Sequence, residues 1–234
     1  MSRTQRLKLK SDGAPAAPVF QPLIDKTLPP IEQAYQYVLQ SIMSGELTPG
    51  MRMPAEAVAE ALGVSRMPVR DALRRLEGDG AITIFANRGA SVAQFSREEI
   101  IELIEMRAVL EGHAARAAMP KIGRDDLEEL DQLKLRMERT ANDLSKWMLR
   151  HDEFHNYLTA LSRRALLMRQ TERMRIMLRP YYRQYYAKTG ELEIAGLEHR
   201  KIIDALRKGD ADHVEQIVRS HALKNVKKIA DLAA

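Results

Sequence analysis

From Ser96 onward the chain carries no strand signal. Its apolar residues recur three and four apart, the spacing of one helix face. The periodicity predicts helices over 97–118, 124–140, 143–161, 164–188, 190–208 and 210–231. Pro120 and Gly123, Gly190, and Gly209-Asp210 mark breaks between them. Amphipathic helices with no sheet to cover bury their stripes against one another. The expectation is an all-α bundle of six helices. Upstream of Ser96 the pattern is mixed, so the domain boundary is placed at 96/97. A chain of 234 residues has room for two modest domains, each with its own core.

Residues 1–29 combine Arg3, Arg6, Lys8 and Lys10 with Gly13, Pro15, Pro18, Pro22 and Pro29. That composition reads as a flexible basic arm. From Ile31 a helical face appears in Ala34, Tyr35, Val38, Leu39 and Ile42. "SGELTPG" (44–50) breaks it. A second helix spans about 55–62 and stops at Gly63, which suits a C-cap. A third restarts in "GVSRMPVRDALRRLEGDG" (63–80), with Ser65 as a candidate N-cap and Pro68 in the tolerant first turn. "AITIF" (81–85) and "ASVA" (90–93) read as strands joined by "ANRG". Three helices and a hairpin over 30–96 are the order of a winged helix-turn-helix, whose third helix enters the DNA major groove.

That third helix carries Arg66, Arg70 and Arg74 four apart, hence on one face, with Arg75 beside them. Val69, Ala72, Leu73 and Leu76 supply its buried face. Guanidinium groups can bond guanine O6 and N7 in pairs, or clamp phosphates. An arginine stripe can also be a solvated helix face; the surrounding order of elements favours DNA.

The six histidines are unevenly placed. His151 and His155 fall on the apolar face of helix 143–161, with Trp147, Met148, Phe154 and Leu158. His199 shares the face of Ile202, Ile203 and Leu206, and His221 that of Val214 and Val218. Each alone is an ordinary hydrogen-bonded core histidine. Four converging from three helices are also a set that could chelate zinc or a similar borderline ion. Periodicity leaves both readings open. Arg107 lies in the apolar row of Ile100, Ile104 and Ala114, with Glu111 one turn on. It either pairs with Glu111 or clamps a carboxylate ligand. "RPYYRQYY" (179–186) sets four tyrosines on one helix, as core or subunit contacts, or with one reaching a ligand.

Zero cysteines exclude disulfides and thiolate sites. No apolar run approaches the roughly 20 residues of a membrane span. The basic N-terminus lacks an apolar stretch after its charges, so no secretory signal is expected. A cytoplasmic chain with no membrane partner fits. The net charge of +5 permits an anionic partner but argues for none strongly.

"GVSRMPVRDALRRLE" is close to the G-V-S-R-x-P-V-R-x-A-L-x-x-L of GntR-family bacterial transcription regulators, which residues 45–93 resemble. The resemblance implies that Ser65, Arg66, Val69 and Arg70 face the DNA, and that Gly89 at the wing tip approaches the minor groove. Arg88 beside it is added here as a minor-groove or phosphate contact. Two positions depart from the family. Met67 stands where relatives often have Thr, and Ala55, Glu56 and Ala57 where they often carry a basic residue. "EMRAVLEGHAARAA" (105–118), "FH" (154–155), "EHRKIIDALRKGD" (198–210) and "RSH" (219–221) resemble the FCD ligand-binding domain of the FadR subfamily, its six-helix VanR-like branch. That implies a divalent metal on His155, His199 and His221, with zinc favoured and nickel or manganese as alternatives. Relatives place an acid four residues before the first histidine. That position is His151 here, and Asp152 follows it. His151 is the expected fourth ligand and Asp152 the alternative. Arg107 matches an arginine that lines the effector pocket.

The fold expected is therefore mainly α: a winged helix-turn-helix, then an FCD-like bundle over 97–234. The function expected is a homodimeric DNA-binding repressor or activator of two-fold related half-sites, tuned by a small carboxylate beside the metal. Two alternatives stand against it. One is a hydrolase-type enzyme in which the metal activates water, with Glu153, Glu198 or Glu111 as base. The other is a repressor with a purely structural metal.

Overall fold

The computed structural model describes residues 24–86 and 89–233. The chain forms two compact units that divide between Gln94 and Phe95.

The first unit runs α1 (Pro30–Ser44), β1 (Arg52–Met53), α2 (Ala55–Leu62), α3 (Arg66–Gly78), β2 (Ile82–Phe85) and β3 (Gly89–Val92). Its core is the meeting of two stripes. Ala34, Val38 and Ile42 of α1 are buried with Val69, Ala72, Leu73 and Leu76 of α3, and the two helices pack together. Each Leu, Val or Ile so buried contributes roughly 1.5–3 kcal/mol. The turn between α2 and α3 is set by Gly63, whose φ of 68° most side chains would resist. Ser65 occupies the N-cap of α3, but its side chain makes no capping hydrogen bond.

The hairpin holds a third strand. β1 pairs antiparallel with β3, giving the order β1-β3-β2. Two residues between Met51 and Pro54 are too short to show alternation, so the sequence reading missed β1. Glu77 of α3 ties the wing down by accepting the Ile84 N–H at 2.9 Å. Arg75 is tied too: it donates to Glu32 at 2.7 Å and lies 4.0 Å over the Tyr35 ring. It therefore braces α1 rather than joining the exposed stripe.

The second unit is helical: α4 (Arg97–Ala118), α5 (Arg124–Glu138), α6 (Leu144–Ala160), α7 (Ala165–Thr189), α8 (Leu192–Lys208), α9 (Ala211–Leu223) and α10 (Val226–Ala230), with a 3-10 turn at Met119–Lys121. α4 starts at a capping box: Ser96 accepts the Glu99 N–H at 3.2 Å, and Glu99 accepts the Ser96 N–H at 2.7 Å. Asp143 caps α6 by accepting the Lys146 N–H, and Asp210 caps α9 by accepting the N–H groups of Asp212 and His213. α4 packs on α9, α7 and α6. Its contact with α9 is close, for a Cβ on Gly112 would lie 2.7 Å from Arg219 Cγ and 3.1 Å from the Glu215 carbonyl oxygen. Two apolar clusters fill the unit, one around Ile104, Trp147, Leu178 and Tyr181, the other around Phe154, Leu158, Ile202 and Val218.

The last expected helix, 210–231, is two helices, so seven α-helices stand among the described residues where six were expected. Asn225 leaves the helical region at φ −118° and ψ 20°. The turn there lets Ile229 and Ala230 fold onto the first cluster, where they are 1% and 0% exposed. Burial of those two side chains outweighs continuation of the helix.

Candidate metal centre

α6 carries His151 and His155 one turn apart. α8 brings His199, and α9 brings His221. Each imidazole offers one nitrogen, and the four nitrogens lie within 4.8 Å of one another. His155 Nε2 is 3.1 Å from His199 Nε2 and 3.3 Å from His221 Nε2. Four nitrogens bound tetrahedrally to zinc stand about 3.3 Å apart, and the two spacings from His155 fit that value. Each close nitrogen pair can share at most one proton. A cation satisfies all the converging lone pairs together. His155 and His199 are fully enclosed, while His151 and His221 keep some exposure.

Burial favours the neutral form of His151, His155 and His221, the form that binds metal. Burial drives His221 down to about 3, with the His151 and Arg107 charges adding to it. His155 is held well below the ordinary imidazole value by burial and by its three histidine neighbours. His151 is lowered mainly by burial, against the pull of Asp152.

A layer of buried charge surrounds the cluster. Glu111 of α4 accepts from Arg175 of α7 at 2.7 Å, and its other oxygen stands 4.0 Å from His155 Nδ1. Asp152 is taken by Arg179, which also donates to the Met148 carbonyl at 3.0 Å. Burial works against the Asp152 charge, but Arg179 and His151 outweigh it and hold the carboxyl below its ordinary value. Asp152 thus faces an arginine, while His151 joins the nitrogen cluster.

Arg107 does not pair with Glu111. Arg175 has claimed that carboxylate, and Arg107 instead donates to the Tyr182 hydroxyl at 2.6 Å and lies 4.9 Å over its ring. Its Nε is buried without a hydrogen-bond partner. Arg107, His151, His155, His221, Tyr182 and Tyr186 line one pocket, with Glu191, Glu198, Lys224 and Asn225 around them. Two tyrosines of "RPYYRQYY" reach it. Tyr181 instead accepts the Phe95 N–H, and Tyr185 donates to Glu191. Sequence reasoning missed Arg175 and Arg179, although Arg175, Arg179, Tyr182 and Tyr186 follow the four-three-four spacing of one helix face.

In the first unit, Ser65, Arg66 and Arg70 are exposed at the start of α3, and Arg74 follows one turn later at 75% side-chain exposure. Val69 is 0% exposed. Its expected place on the DNA face is corrected: it belongs to the stripe with Ala72, Leu73 and Leu76 that packs on α1. Gly89 is exposed at a φ of 78°, which suits glycine. Arg88 lies outside the described residues. Met67 and Phe85 are 63% and 48% exposed.

Residues 30–92 match the GntR family of bacterial regulatory proteins, and residues 102–224, more than half the chain, match the FCD domain. Among curated proteins, the transcriptional regulator YdhC of Bacillus subtilis is 26% identical over 204 residues, covering 85% of this chain and 90% of that protein. The transcriptional repressor RspR of Escherichia coli is 26% identical over 201 residues, covering 85% and 88%. Two solved structures share the fold. McbR/YncC of E. coli superposes with a TM-score of 0.79 at 21% identity, over 88% of this chain and all of that one. A GntR-type regulator from Rhodococcus sp. RHA1 gives 0.71 at 22% identity, over 85% and 96%. No described helix is long and apolar enough to cross a membrane. By both matches, the chain belongs to the GntR family of bacterial regulatory proteins: it is a DNA-binding transcriptional regulator whose winged helix-turn-helix is followed by a helical FCD domain.

Proposed function

We propose that this regulator holds a divalent ion on His151, His155, His199 and His221, and that a small carboxylate bound beside the ion tunes its affinity for DNA. The convergence of Nε2 atoms at 3.1 and 3.3 Å carries the metal reading. An all-imidazole set suits zinc best, with nickel next and manganese least. When bound, such an ion supplies a Lewis-acidic anchor for a carboxylate oxygen. Arg107 supplies the second anchor: its Nε is unpaired, and Tyr182 fixes its plane. Tyr182 and Tyr186 place hydroxyl donors in the same pocket. On the DNA side, Ser65, Arg66, Arg70 and Arg74 read the major groove, and Gly89 with Arg88 forms the wing contact. The working form is a cytoplasmic homodimer on two half-sites related by a two-fold axis.

Metal content after purification tests the first part. We expect about one zinc per chain, removable by a chelator with a fall in Tm. An ion-free chain whose Tm ignores added zinc would refute it. Small carboxylates screened by thermal shift test the second part: a hit should raise Tm, change DNA affinity, and be lost in Arg107→Gln.

A second reading has its own support. Four nitrogens already complete a tetrahedral zinc, as in closed structural sites. It predicts the same metal content, with no carboxylate that alters DNA affinity.

A further inference from the structure

Arg66 is the first residue of α3, where the helix dipole is positive and disfavours a cation. The first turn of α3 carries no acid of its own. One reaches it from α2: Glu56 Oε1 lies 3.4 Å from Arg66 Nη1, with side chains 53% and 65% exposed. Glu56 stands in the first turn of α2, where an anion is favoured. A single carboxylate thus serves the N-terminal ends of both helices of the helix-turn-helix. The stretch 55–57 is also where the sequence departs from the family's common basic residue.

An exposed pair of this kind contributes little to stability. Its consequence is orientation. A free arginine at the tip of a reading helix samples many rotamers and can settle on any nearby phosphate. A tethered one loses less freedom when it presents its fork to a guanine edge. A carboxylate at that place also repels the phosphate backbone.

We propose that Glu56 is a specificity-determining residue: it positions Arg66 for reading a base edge and penalises its use as a phosphate clamp. The proposal rests on Arg66 acting at the DNA face. Arg74, by contrast, pairs within its own helix with Asp71 at 3.6 Å and has no tether from α2.

The test uses the full chain, a duplex enriched from a randomised pool by the wild-type protein, and a scrambled duplex of the same composition. Glu56→Gln should bind the scrambled duplex more tightly and lower the specific-to-nonspecific ratio by on the order of fivefold. Its salt dependence should steepen by about one phosphate contact per reading head. A pool selected with Glu56→Gln should lose preference at one position per half-site. Glu56→Asp, which keeps the charge, should restore most of the ratio. In an Arg66→Ala background, Glu56→Gln should leave the ratio unchanged. An equal change on both duplexes, or the same loss of ratio in the Arg66→Ala background, overturns the proposal. If Arg66→Ala alone leaves specific affinity intact, the placement of Arg66 at the DNA fails and the proposal with it.

Discussion

Two helices carry arginines four residues apart, and their fates are opposite. On α3, Arg66, Arg70 and Arg74 stand in solvent. On α7, Arg175 and Arg179 are 6% and 4% exposed. Spacing and residue type do not separate the two cases. The partners do. The α7 arginines meet carboxylates from other helices, Glu111 of α4 and Asp152 of α6, and each buried charge is neutralised locally. The α3 arginines meet only exposed acids on their own rim, Glu56 and Asp71. An arginine stripe becomes structural when tertiary neighbours supply buried anions, and stays available to an external polyanion when they do not.

The comparison breaks most visibly from the inside. Glu111→Ala leaves Arg175 buried and unpaired beside His155. The expected loss is about 3–5 kcal/mol in chemical denaturation of the metal-free protein. A loss below about 1 kcal/mol would mean that water reaches this layer and that the contrast between the stripes is false.

Acid should strike the same interior. The folded chain holds His155 and His221 below their ordinary value of 6.5, whereas the unfolded chain protonates them near it. The unfolded state therefore binds more protons as pH falls below 6.5. Metal-free stability should drop by up to roughly 1.4 kcal/mol per pH unit per histidine, towards about pH 3, where His221 titrates in the fold. Above pH 6.5 these groups predict a flat profile. Thermal melts across that range, with and without zinc, measure it; zinc should raise the whole curve, leave the onset near 6.5, where the unfolded chain protonates, and carry the fall to lower pH.

From the outside the effects should be smaller and of another kind. Arg70→Ala should cost about 1–3 kcal/mol of affinity for the selected duplex. Its unfolding curve should shift by no more than about 0.5 kcal/mol. A large stability loss would place Arg70 among the structural arginines. Smallest of all, Arg124→Ala removes an exposed pair with Glu128 that is 90% and 62% exposed, and should leave stability and DNA binding unchanged within error.

What could be read from the sequence follows the same division. Helical periodicity placed His151, His155, His199 and His221 on inward faces, and the fold brings them together, because burial of a stripe is a local rule applied helix by helix. What sets Asp152 apart from His151 is a tertiary fact, the arrival of Arg179 from α7. The Arg107–Glu111 pair, one of the two readings open for Arg107, is absent for the same reason: one-turn spacing says who is near, not who else competes. β1 escaped notice because two residues carry no pattern, and it exists only by pairing with β3. The division of the last helix at Asn225 depends on a core that later residues help to close. Spacing alone puts Val69 on the buried face, in step with Leu73 and Leu76, and the fold agrees; family likeness pointed it at DNA against its own periodicity.

The chain has a single tryptophan, and its placement has a practical use. Trp147 is 1% exposed, with its ring centroid 5.1 Å from that of His151 and 4.9 Å from that of Tyr186. Its fluorescence therefore reports from the wall of the histidine cluster with no dye and no competing indole. A paramagnetic ion seated there should quench that emission, whereas closed-shell zinc should leave it bright. One titration in a fluorimeter can thus follow loading and sort the candidate ions by electronic configuration.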